Sequence, residues 1–182
     1  MKTQPIRDKN TVTNCLMYLE KRSKRNALMF AIAIYTGLRI GDILNLKISS
    51  VRNKEQIIVK QQKTKQYIYI PMNKELKKMV DEYTRGKPHN EYLIKSRQGY
   101  NKPITRSMAH RILKDMAYDL GLENISCHSL RKTFGFHAYY EGGKDIALVM
   151  SILGHKDSAS AIHYIGVADA DIKQVVTNLS YY

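Results

Sequence analysis

His128 to Gly135 reads HSLRKTFG. On a helix, His128 and Arg131 stand three positions apart and share a face, where an imidazole and a guanidinium can grip one anion. A histidine at a helix start followed one turn later by an arginine is also an ordinary cap beside a solvated side chain. The motif therefore takes its meaning from its surroundings. Downstream, the helix from His128 to Glu141 closes at Gly142-Gly143, and a second runs from Asp145, its N-cap, to Leu153, with Gly154 as its stop. Leu153-Gly154-His155 reads as that helix end, Tyr164 follows in HYIG, and Asp171 to Leu179 forms a last segment with Ile172, Val175, Val176 and Leu179 on its apolar face.

Upstream, Thr105 starts a helix carrying Met108, Ile112, Met116 and Leu120 and stopped by Gly121, while Asn73 caps another carrying Leu76, Met79, Val80 and Tyr83. Pro88 to Pro103 between them reads as loop. The period then changes from helix to strand. Gln56 to Gln61 (QIIVKQ) and Lys65 to Ile70 (KQYIYI) are rich in β-branched and aromatic residues, with Lys63-Thr64 at the tip of the hairpin. Before it, Ile40, Ile43, Leu44 and Leu46 form a short helix with Asp42 in its first turn, where the dipole favours a carboxylate. A helix from about Lys24 to Thr36 stops at Gly37, leaving Arg39 just beyond its end, and a first helix capped by Asn10 and Thr11 runs to about Glu20. The expected architecture is mainly α with a small antiparallel β-sheet, an α+β chain.

The 182 residues, 43% of them hydrophobic, suffice for one domain with its own core, and neither repeats nor a linker divide them. We expect a single domain over residues 1–182, with a lead-in segment over 1–22 and a tail helix over 168–182. Cys15 and Cys127 are the two cysteines, with no CxxC or Cys/His ladder, so neither a disulfide framework nor structural zinc is expected. The longest apolar run, Ala27 to Leu38, is too short to span a bilayer, and the N-terminus lacks the apolar core of a signal peptide. A cytoplasmic, non-membrane protein is expected. Thirty Lys plus Arg against 16 Asp plus Glu give a net charge of +14, which favours polyanions through counterion release. The basic residues are spread along the chain, as on a folded basic face.

Arg39 in TGLRIGD, Lys63 on the hairpin, His128 and Arg131 in HSLRKTFG, His155 in LGH and Tyr164 in HYIG occur in that order. This series resembles the catalytic domain of the tyrosine recombinases, the phage integrase family, from about Thr36 to Gly166. The resemblance implies the DNA breaking-rejoining fold and a site-specific recombinase that cuts and rejoins strands without metal or cofactor, through a 3′-phosphotyrosine. It implies that Arg39 and Arg131 neutralise the non-bridging oxygens and that Tyr164 is the nucleophile. Lys63 would protonate the leaving 5′-oxygen, with Lys65 as a rival because the family often has Gly where this chain has Lys65. His128 would accept the Tyr164 proton or hydrogen-bond the phosphate, His155 would orient an oxygen, and Asp42 would support by ion pairing.

The implied partners are double-stranded DNA recombination sites and a homotetramer on synapsed DNA held by the C-terminal helix, from a protein monomeric in free solution. The expected setting is the prokaryotic nucleoid, on a mobile element. The family's upstream core-binding domain is expected to be absent, since 38 residues precede Arg39. An excised catalytic domain and a compact stand-alone recombinase both fit.

Two other readings compete. A non-catalytic DNA-binding regulator could keep the same fold and charge, against which stands the intact set of nucleophile, arginines, lysine and histidines. A metal nuclease would use Asp169 and Asp171, but aspartates at the start of a final helix are favoured by capping and dipole alone. His163 reads as surface or packing, and His110 and His137 as structural residues without a partner at metal spacing.

Overall fold

The computed structural model describes residues 3–60, 67–154 and 157–166. Helix α1 (Lys9–Arg22) is capped by Asp8, whose carboxylate accepts from Thr11 N at 2.7 Å, so the cap lies just ahead of the expected Asn10 and Thr11. An aspartate in extended backbone is the stronger acceptor for the first free amides. Ser23 then ends α1 and caps α2 (Lys24–Thr36). Helix α2 is apolar nearly all round, with every residue from Ala27 to Ala33 buried, and it packs between α1, α4 and α6. This is the pattern of a core helix rather than a surface one.

Gly37 ends α2 at φ +62°, and a Cβ there would lie 2.3 Å from Phe134 Cδ1. Both the left-handed backbone and the α6 ring beneath it require glycine. The chain turns at once into α3 (Ile40–Leu44), placing Arg39 at its N-cap, and a 3₁₀ turn follows at Ile48–Ser50. Strands β1 (Gln56–Lys60) and β2 (Tyr67–Pro71) pair antiparallel, Gln56 opposite Pro71 and Lys60 opposite Tyr67. Pro71 is the last residue of the second strand, one beyond the expected Ile70. Each strand of a two-stranded ribbon has a free edge, where a residue without an N–H is tolerated.

Helix α4 (Lys74–Thr84) is capped by Asn73 and α5 (Arg106–Asp119) by Thr105, as their sequences predict. Helix α6 (Cys127–Glu141) begins one residue earlier than expected because Ser126 caps it, with Ser129 closing a reciprocal capping box. Helix α7 (Ile146–Leu153) has the expected Asp145 cap, and Gly154 ends it. Helix α8 (Ser158–Ile165), capped by Asp157, carries Tyr164 and was not expected from the sequence. The expected tail helix over 168–182 lies outside the described residues, as does the link 61–66.

The main core gathers around α2 and includes Phe30, Ile43, Leu113 and Leu130. A smaller cluster of Phe136, Val149, Leu153 and Ile165 ties the end of α6 to α7 and α8. At Gly135 a Cβ would come within 2.5 Å of Ile165 Cγ2 and 2.9 Å of Leu153 Cδ1. Any larger residue would push α8, and Tyr164 with it, away from α6.

The leading segment straps across α6 and α8. Ile6 N donates to Thr133 Oγ1 at 2.8 Å, Lys132 Nζ to the Thr3 carbonyl at 2.8 Å, His137 Nε2 to the Ile6 carbonyl at 3.1 Å and Arg7 to the Gly166 carbonyl at 3.2 Å. His137 is thus a satisfied structural histidine. No described helix is long and apolar enough to cross a membrane.

Candidate functional site

Arg131 is the floor of the site. Only 4% exposed, it projects from α6 and donates through Nη1 to the Gly37 carbonyl and through Nη2 to the Leu153 carbonyl. These are the end of α2 and the end of α7, so one guanidinium joins three helices. Arg131 has the side chain of Tyr164 close beside it. Burial and the neighbouring charge of Arg39 push its pKa down, while Tyr164 and Asp42 oppose them. An arginine stays protonated at neutral pH even so.

Arg39 approaches from the start of α3. Its Nη1 is buried and has no hydrogen-bond partner among the described residues. A buried guanidinium N–H without an acceptor costs free energy, and an anion entering beside it recovers that cost. Asp42, 3% exposed in the first turn of α3, lies close enough to Arg131 to favour its charged form.

Tyr164 closes the site from α8. Burial pushes its phenol up, and the charges of Arg131 and Arg39 pull part of the way back. At neutral pH the hydroxyl therefore keeps its proton. Lys132 Nζ, anchored to the strap, stands 5.3 Å from the centre of the Tyr164 ring. It therefore links the leading segment to the ring by a cation–π contact.

His128, near the start of α6, lies on the same side as Arg39 and Arg131. Burial pushes its pKa down, with the charges of Arg131, His110, Lys132 and Arg39 adding to the effect. The neutral imidazole, able to accept a proton, is the favoured form. A cavity of about 360 Å³ opens over Arg39, Asp42, His128 and Arg131, with Arg106 and His110 of α5 on its far wall. Cys127 also lines it, and burial pushes that thiol up to about 11, so it acts there as a small apolar group.

The structure thus brings together Arg39, Asp42, His128, Arg131 and Tyr164, which span 125 positions of sequence from first to last. Lys63, Lys65, His155, Asp169 and Asp171 lie outside the described residues. Sequence reasoning missed Arg106 and Lys132 and set His110 aside as structural. Arg106 and His110 stand one turn apart on the same face of α5, a spacing that could have marked them as a pair. Which wall they face is decided by the packing of α5 on α3.

The sequence model of the phage integrase family matches residues 8–171. The chain belongs to the phage integrase family. The probable integrase/recombinase YoeC of Bacillus subtilis (strain 168) is 41% identical over 164 residues, covering 90% of this chain and 90% of that protein. Tyrosine recombinase XerD of Oceanobacillus iheyensis is 27% identical over 168 residues, covering 85% of this chain and 54% of its own length. This member of the family therefore spans about half the length of its Xer relatives. Among solved structures, XerA recombinase superposes with a TM-score of 0.78 at 24% identity, covering 98% of this chain and 67% of that one. XerH recombinase, in a post-cleavage complex with palindromic difH substrate, gives a TM-score of 0.74 at 18% identity, covering 98% and 54%. At such identities the likeness shows the fold, a tyrosine recombinase catalytic domain.

Proposed function

We propose that this integrase-family chain is a site-specific DNA recombinase that cuts and rejoins strands through a covalent bond to Tyr164. The observation that carries it is Tyr164 standing beside Arg131 and Arg39, close enough for both charges to act on its phenol, next to a cavity where Arg39 presents a buried N–H. A nucleophile held against a guanidinium is held against the group that binds the phosphate it attacks.

Arg39 and Arg131 take the two non-bridging oxygens and offset the charge that builds on them. The Tyr164 oxygen attacks phosphorus, its proton passes to His128, and the bond from phosphorus to the 5′-oxygen breaks as Lys63 protonates that oxygen. His155 orients a non-bridging oxygen, and Asp42 steadies the arginines. One phosphodiester is exchanged for another, so a 5′-hydroxyl can reverse the step and reseal a strand. The residues supply the acid, the base and the anion clamp themselves, so no metal or cofactor is required. The DNA-bound XerH complex and the +14 charge support duplex DNA as the partner, reached in the cytoplasm. Assembly on two synapsed duplexes, four protomers joined through 168–182, completes this reading.

The test is covalent capture. The full chain is incubated with a randomised duplex library, denatured in detergent, and the DNA that stays attached is sequenced. An enriched sequence joined through a 3′-phosphate is expected, with chelator making no difference. Strand breakage without attachment, abolished by chelator, would overturn the reading in favour of a nuclease.

His128 gives the assay a pH signature. Only the neutral ring accepts a proton, and its pKa lies below the ordinary histidine value. Cleavage should therefore rise with pH to a plateau, with a midpoint below about 6.5. His128→Gln should lower the plateau and remove that acidic limb. A limb that persists in the variant assigns the proton acceptor elsewhere.

A further inference from the structure

Arg106 lies directly against Gly41. A Cβ built on that buried glycine would fall 2.5 Å from Arg106 Nη2 and 3.1 Å from both Cζ and Nε. The missing side chain at 41 is thus what lets the guanidinium lie on the backbone of α3, between Arg39 and Asp42 in sequence. Thr105 fixes the origin of α5 by accepting from Met108 N at 3.1 Å, so Arg106 sits in a well-defined first turn. His110, one turn on, faces the same cavity.

Depth separates these two residues from the others. Arg131 is buried at the floor and committed to two carbonyls, whereas Arg106 and His110 are exposed at the rim. The charges point the same way. Among the described residues lining the cavity are three guanidiniums, Arg39, Arg106 and Arg131, and one carboxylate, Asp42, an excess of two positive charges before either imidazole is counted. A phosphodiester carries a single negative charge, so one phosphate leaves the cavity with a positive charge to spare. A nucleic acid strand that places one phosphate at the floor must carry the next to the rim.

We infer that Arg106 and His110 form a second phosphate subsite, which holds the phosphodiester adjacent to the one under attack on the same strand. The inference rests on the recombinase reading and deepens it. Arg106 positions the strand by fixing a second point on its backbone, so the reacting phosphate cannot pivot about the Arg39–Arg131 clamp. Gly41 serves this by giving the guanidinium a flat bed beside that clamp.

The probe is thymidine 3′,5′-bisphosphate, which carries two phosphates on one deoxyribose, compared with thymidine 3′-monophosphate. Binding to the full chain is measured by calorimetry, with the His110 ring signals followed by NMR. The bisphosphate should bind about tenfold more tightly, the scale of one charge-assisted phosphate contact, and it alone should move the His110 signals. Arg106→Gln should bring the bisphosphate down to monophosphate affinity and leave the monophosphate within about twofold.

His110→Gln should weaken the bisphosphate alone, by about threefold, the scale of one hydrogen bond from an exposed side chain. Its side chain is exposed, so this variant keeps the test open if Arg106→Gln fails to fold. Equal loss of both ligands would place Arg106 on the same phosphate as Arg39. Loss of neither would make it a purely structural cover for Gly41, and either result overturns the subsite. No strand is cut in this experiment, so a failure of covalent capture counts against the recombinase reading and leaves the subsite result standing by itself.

Discussion

Tyr164→Phe is expected to give no detergent-stable DNA adduct at all, while its affinity for the captured duplex changes by less than about threefold. The two effects separate because they come from different parts of the side chain. On the proposed reading the hydroxyl is the atom that bonds to phosphorus, and no described neighbour in the site offers a replacement: Cys127 is held as a thiol by its burial, and the remaining groups are cationic, imidazole or carboxylate. The ring stays, and with it the packing of α8 against α6 and the Lys132 contact. What the variant loses besides the hydroxyl is its polar interaction with the neighbouring Arg131, about 1 kcal/mol. That guanidinium keeps its bonds to Gly37 and Leu153, so the floor of the site stays in place. A Tyr164→Phe protein that still carried DNA through denaturation would remove Tyr164 from the chemistry. A large fall in affinity would show instead that the hydroxyl is part of the binding surface.

The helices that sequence disclosed best are those with strong punctuation. Helix α2 has its serine cap and Gly37, α5 its threonine cap, and α7 both an aspartate cap and a glycine stop. In each, local chemistry and tertiary packing ask for the same ends. Helix α8 was hidden because eight residues, SASAIHYI, bury only Ala161 and Ile165 fully. Two buried positions over two turns set no measurable period; the helix is held by Gly135, Leu153 and the strap, all distant in sequence. The strap itself has no period to read, since its hydrogen bonds run from backbone to side chains more than a hundred residues away.

The site divides on the same line. Arg39, Asp42, His128, Arg131 and Tyr164 were legible because each lies in a short motif and the motifs keep their order. Arg106, His110 and Lys132 were not, because their roles exist only once α5 lies on α3 and the strap lies on α6. A cation in a chain with 30 of them has no distinguishing mark until its neighbours are known.

On the proposed reading, the largest effect after that of Tyr164 is expected at the lysine that would protonate the leaving oxygen. An alkoxide is a poor leaving group, and neutralising it as the bond breaks accounts for roughly 10² to 10⁴ in rate. Strands β1 and β2 pair as far as Lys60 and Tyr67, so residues 61–66 join two adjacent strand ends, and Lys63 and Lys65 both fall within that link. Lys63 stands near its middle along the chain, three residues from Lys60 and four from Tyr67, whereas Lys65 is two residues from Tyr67. A lysine needs reach to deliver a proton into a groove, which favours Lys63. Lys63→Ala should therefore slow cleavage by roughly 10² to 10⁴, and Lys65→Ala by far less. Rate alone does not separate a proton donor from a phosphate contact, so both variants are measured on a duplex whose bridging 5′-oxygen is sulfur. A thiolate departs without a proton, so the defect of the true acid largely disappears on that substrate, while the defect of a charge contact persists. Rescue is expected for Lys63→Ala and not for Lys65→Ala. Rescue confined to Lys65→Ala would move the acid two residues along the link, and rescue of neither would take the link out of proton transfer and leave its lysines as contacts to the backbone phosphates.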